Sequence, residues 1–299
     1  MFRHPVADSP APQGHDSRGR REYARCVSTS TTAEPIVRHS ALNLVPATAA
    51  VLSGFLLFAL EYRVAGYLLL AAAVAVAALI SRPLLKDVGL AALGITIIST
   101  VPITTDISIG HMAVMGTAMV LAVGLPYAVS RWVFRDHAIR FPVLTGSKWS
   151  RTERWYLAAV VVIGYLILPV YMIPTGVYRN WPAASDAGDI FKLFLGTNVL
   201  GIWDELFFIC TVFTLLRRHL PEWQANLLQA VVFTSFLWDL GFHAWGPFLI
   251  YPFAVIQGWI FARTKSLSYI VSVHLLFDFV LFLVLLHAHN RWLFPIFLY

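Results

Sequence analysis

Six ionisable side chains interrupt three otherwise apolar stretches: Asp204 and Glu205 in GIWDELFFIC, Asp239 and His243 in FLWDLGFHAW, and His274 and Asp278 in VSVHLLFDFV. An acidic side chain at the middle of a membrane helix costs roughly 3 kcal/mol on insertion-derived scales. Four such carboxylates threaten a penalty on the order of 10 kcal/mol unless they pair, take up protons or line a wet cavity. Carboxylates and imidazoles held in one dry pocket are the groups that move a proton to or from a reacting water.

The spacing sharpens that expectation. His274 and Asp278 stand four apart, one turn on the same helix face. The aspartate can accept from one imidazole nitrogen, fix the tautomer and leave the other nitrogen free. Asp239 and His243 repeat the spacing and could form a second pair, or equally a structural hydrogen bond between helices. Asp204 and Glu205 are adjacent, so their side chains diverge by about 100°. One is expected to face a reaction site and the other to pair elsewhere or be protonated.

The elements that must position these residues follow from composition. The chain is 58% hydrophobic and 13% charged, with a mean hydropathy of +0.70, whereas a soluble domain is about one-quarter charged. The expected fold class is all-α, a polytopic transmembrane helix bundle. Apolar segments run at about 43–60, 66–81, 87–103, 111–131, 155–174, 190–216, 224–243, 247–263 and 268–288. Two are short against the ~20 residues a helix needs to cross a bilayer, so eight or nine spans are expected. Residues 1–40 are polar and rich in Ser, Thr, Pro and Arg, and are expected to be a disordered tail without a secretory signal. Residues 41–299 form the membrane domain. Its front four helices are expected to carry no buried charge, and every polar intramembrane residue is expected in the rear part.

Nine alternating spans with the N-terminus inside leave all but four of the 22 Lys and Arg residues on the inner side, the exceptions being Arg63, Arg179, Lys192 and Arg291. That bias is what a multi-pass protein with a cytoplasmic N-terminus gives, and the cell membrane is the expected location. The formal charge of +6 is loop bias of this kind. No basic stripe interleaves with aromatics, so nucleic acid is not expected as a partner. Cys26 and Cys210 lie in the tail and in a membrane segment, so no disulfide is expected. This topology puts His243 near the outer end of its helix and His274 about 10 Å from the inner face. A common site then requires that the helix holding His243 tilt, start later or break at Gly241.

Several hydrolytic signatures are absent: GxSxG, HExxH, GxGD and GxxxxGK[ST]. The rear part instead resembles the CPBP family of CAAX prenyl proteases and bacteriocin-processing enzymes, over about 155–290. That family carries EExxxR, FxxxH and HxxxN or HxxxD on separate helices. DELFFI from Asp204 to Ile209 fits the first, with Asp for the first Glu and Ile for Arg. His243 fits the second, with Asp239 in place of Phe. His274 to Asp278 fits the third, preceded by a lead-in from Gly258 that also resembles the family's. The resemblance implies an intramembrane endopeptidase acting on a membrane-embedded or membrane-associated peptide.

On that resemblance Asp204 or Glu205, with His243, activates water, while His274, oriented by Asp278, stabilises the oxyanion. No metal is required. An alternative places a divalent ion such as zinc on His243, His274 and Glu205. The departures at Asp204 and Ile209 favour a second reading, a catalytically inactive binding, scaffold or immunity protein that uses the same cavity. A third is a proton-coupled transporter, since Asp and His chains also relay protons.

Overall fold

Among the described residues the nine apolar runs become nine helices. The computed structural model describes residues 41–143, 148–292 and 295–297; the segment expected to be a disordered tail lies outside them. α1 runs Leu44–Gly54 and continues through a wider π-helical turn, Phe55–Ala59. α2 is Arg63–Ile80 and α3 is Arg82–Ile98, divided at Ser81, whose hydroxyl accepts from the Leu84 amide. α4 spans Ile109–Ala128 and also ends in a π turn, Val129–Phe134. α5, Arg151–Met172, opens with a reciprocal cap between Ser150 and Glu153, which satisfies two amides the helix leaves bare.

The rear elements hold the site. α6 begins at Ala187 beneath Asp186, whose carboxylate accepts from the Gly188 and Asp189 amides. These amides, that of Asp189 first, hold the Asp186 carboxyl below the usual carboxylate range. α6 stays α-helical to Asp204, widens to π geometry over Glu205–Phe213 and closes at Leu216. α7 is Glu222–Asp239, α8 is Gly246–Thr264 and α9 is Leu267–His289. Among the described residues there is no strand. Six helices, α1, α2, α4, α5, α6 and α9, are long and apolar enough to cross a membrane. The other three are shorter or more polar. α3 has 17 residues and carries Lys86 and Asp87, α7 carries Asn226 and Gln229, and α8 carries Gln257 and Arg263.

Packing puts the second half of α6 at the centre. Phe207, Phe208, Ile209, Cys210 and Phe213 are fully enclosed, as expected of a helix that is apolar on all sides. α9 packs on both α5 and α6, and α7 packs between α1 and α8. The Trp203 indole N–H donates to the Met119 carbonyl at 2.8 Å and locks α6 to α4. Amides join α7 to α8, where Asn226 and Gln229 donate to the carbonyls of Val255 and Ala254 at 2.8 and 2.9 Å.

The front part does hold one buried charge, contrary to expectation. Asp87, 2% exposed, accepts from Arg218 at 2.9 Å and contacts His219 Nε2 at 2.6 Å. Arg218 reaches on to Asp136 at 3.3 Å, and Asp136 accepts from the Ser130 hydroxyl at 2.8 Å. Asp87 lies early in α3, so it escaped notice as a residue of a helix entry. Its partners arrive from the far end of α6.

A buried acid–histidine cluster as candidate active site

α6 and α9 bring four of the six expected residues together. His274 Nδ1 lies 2.8 Å from Glu205 Oε1. On the other side of the ring, Nε2 lies 3.9 Å from Asp204 Oδ2 and 3.7 Å from Asp278 Oδ1. All four residues are buried: Asp204 is 1% exposed, Glu205 0%, His274 4% and Asp278 7%. Phe233 and Phe253 bracket the imidazole, with ring centroids 6.0 and 5.1 Å away.

The acidic doublet divides as its angular separation requires. Asp204 lines a small cavity of about 40 Å³ with His274, Asp278, Gly201, Leu237 and Leu240. Glu205, the first residue of the π segment, sits on the far side of the ring. Asp204 Oδ1 and Asp278 Oδ2 are buried with no hydrogen-bond partner. Separations of 3.7 and 3.9 Å are too long for direct hydrogen bonds and suit a bridging water. The cavity is large enough for one, since a water needs about 10–15 Å³ and several polar partners.

A glycine makes this contact possible. A Cβ on Gly201 would fall 2.0 Å from Asp278 Oδ2 and 3.2 Å from His274 Cδ2. The expected partner of His274 is also revised. The i,i+4 spacing brings Asp278 near Nε2 but not into hydrogen-bond range, and the ring is oriented by Glu205 from another helix.

Asp239 and His243 are not part of this cluster. α7 stops at Asp239, and Gly241 turns the chain with a φ of +116°, so the two residues are not on one helical face. The Asn180 amide fixes the turn by donating to the Gly241 carbonyl at 2.7 Å. His243 is exposed, stacks against Trp238 and meets Asn180 Nδ2 at 3.4 Å. Asp239 borders a separate cavity with Glu61 and Arg63. Where the second motif was expected to supply a histidine, Leu237 of α7 and Leu240 just past its end line the cavity. His243, one of the three residues of the divalent-ion alternative, does not line the cavity beside His274. Among the described residues no group of three or more His, Cys, Asp or Glu could hold a metal ion.

One polar residue of the cluster went unremarked in the sequence. Gln257 of α8, wholly buried, donates from Nε2 to Glu205 Oε1 at 2.7 Å and to the Ile270 carbonyl at 3.1 Å. Its signal was available: an amide within the apolar run FAVIQGWIF.

An all-helical bundle with several candidate spans and an enclosed acid–histidine centre defines a multi-pass membrane protein built around an ionisable pocket. The family model for type II CAAX prenyl endopeptidase Rce1-like proteins matches residues 186–280, which hold α6, α7, α8 and most of α9. Over this stretch the chain is similar to that family, in line with the resemblance its motifs carry. No curated protein and no solved structure matches the chain.

Proposed function

We propose that this protein is an intramembrane endopeptidase in which Glu205, His274 and a water perform the hydrolysis. The observation that carries the reading is the two-sided environment of His274. One nitrogen is bonded to a carboxyl at 2.8 Å, and the other faces a cavity with two unsatisfied carboxyl oxygens. A carboxylate that holds a histidine, whose free nitrogen meets the nucleophile, is the general arrangement of base-activated attack.

In this scheme His274 Nε2 takes a proton from water as the oxygen bonds to the scissile carbonyl carbon. The Nε2–H then faces the tetrahedral oxyanion and passes its proton to the departing amide nitrogen. The C–N bond breaks to leave a carboxylic acid and an amine. Asp204 and Asp278 flank Nε2, so they hold the water and favour the imidazolium as it forms. The base role expected of His243 passes to His274. Water and side chains supply every proton, and the substrate is a peptide segment within or at the membrane. The charge bias of the loops supports a cytoplasmic N-terminus in the cell membrane.

Cleavage of a reporter membrane peptide by the purified chain tests the reading. His274→Ala is expected to lower turnover by at least about 100-fold, and His243→Ala to leave it within about threefold. Full turnover by His274→Ala, or none by the native chain on any membrane peptide of a broad panel, would refute it.

A further inference from the structure

Gln257 is the residue of this cluster to which neither the motifs nor the family match gives a part. Its amide can be oriented in only one way. The Ile270 carbonyl, 3.1 Å away, can only accept, so the atom facing it is the NH2 nitrogen. The same nitrogen is 2.7 Å from Glu205 Oε1. A flipped amide would set its carbonyl oxygen against two acceptors.

The polarity then propagates. Glu205 Oε1 accepts from Gln257, and the hydroxyl oxygen of a carboxylic acid is a poor acceptor. Any proton on Glu205 therefore resides on Oε2, which has no partner. Oε1 is left as an acceptor toward the imidazole too. His274 Nδ1, 2.8 Å from it, must be the donor. Nε2 is thus the nitrogen that loses and regains a proton, on the cavity side.

We infer that Gln257 is a positioning residue that, through Glu205, fixes the His274 proton on Nδ1 and turns the basic nitrogen toward the cavity. The inference deepens the proposed hydrolysis and rests on it for its purpose, though not for its geometry. It assigns the preparation of the base to α8, an element that contributes no ionisable group to the cluster.

The test is nitrogen-15 NMR of the full-length protein in lipid nanodiscs with labelled histidines. The His274 signals are identified by their loss in His274→Gln. In the neutral ring the native protein is expected to show a protonated Nδ1 and a bare Nε2, the reverse of the form that imidazole on a peptide favours in water. Gln257→Met keeps the volume and deletes both N–H groups. It is expected to return most of the signal to the Nε2–H form and to lower kcat on the order of tenfold or more, with KM unchanged. A native ring with its proton on Nε2, or doubly protonated wherever the protein stays folded, overturns the inference. So does a folded Gln257→Met protein with an unchanged spectrum. If that variant does not fold, the native spectrum alone decides. A native Nδ1–H ring in a protein that cleaves nothing would reject the hydrolysis and leave the inference standing.

Discussion

Asp278 owes its position to the missing side chain of Gly201. Because a Cβ there would meet a carboxylate oxygen at 2.0 Å, Gly201→Ala must push α9 from α6 or rotate Asp278 off the imidazole. The expected cost is about 1–3 kcal/mol, typical of an overfilled interior, seen as a lowered thermal midpoint in detergent together with reduced peptide cleavage. At this scale the sequence was partly legible. Ionisable residues in apolar runs marked Asp204, Glu205, His274 and Asp278, since hydrocarbon excludes charges that have no partner or task. The rule says nothing of which groups meet. It admitted Asp239 and His243, whose four-residue spacing presumes a helix that Gly241 interrupts. Applied to amides as well as charges, it would also have found Gln257.

At the scale of elements, α6 changes pitch at the acidic doublet. The π segment starts at Glu205, and the Thr211 and Thr214 hydroxyls donate to carbonyls five residues back, Leu206 at 2.9 Å and Ile209 at 3.1 Å. Such widened turns tend to accompany functional sites. Here it begins where one carboxyl must face the cavity and its neighbour the back of the imidazole. The helix is held against α4 by Trp203, so Trp203→Phe, which deletes that hydrogen bond, is expected to cost about 1 kcal/mol. Differential scanning fluorimetry in detergent would measure it. Hydropathy located all nine helices, because an apolar run without polar punctuation has no other way to satisfy its backbone in lipid. The pitch change left no such trace. Neither did the end of the seventh run, expected at 243 and observed at Asp239, for the residues past it are as apolar as those before.

Across the whole molecule, the network of Asp87, Arg218, His219 and Asp136 ties α3 and the end of α4 to the end of the site helix. Removing its central acid takes the carboxylate from His219 and leaves Arg218 with Asp136. Asp87→Ala is expected to destabilise by about 2–3 kcal/mol, below the full cost of an orphaned buried charge because the Arg218 side chain is 36% exposed. Thermal melts of the two proteins at neutral pH check this value. Asp136 adds a pH dependence. Burial pulls its carboxyl up, but the Ser130 hydroxyl, the Ala138 amide and Arg218 outweigh that and hold it below its ordinary value of 3.8. A depressed folded value means stability that is complete above 3.8 and is lost as pH falls through the lower folded value. Ser130→Ala is expected to shift that acid transition upward in a pH series of melting points.

The pocket of about 40 Å³ around His274 has room for water. On the hydrolytic reading, a peptide segment enters only when neighbouring rods part and the chamber dilates, and the frequency of that breathing, rather than bond making, governs throughput. Stiff, tightly ordered lipids would then slow the protein more than any modest change in the strength of its base.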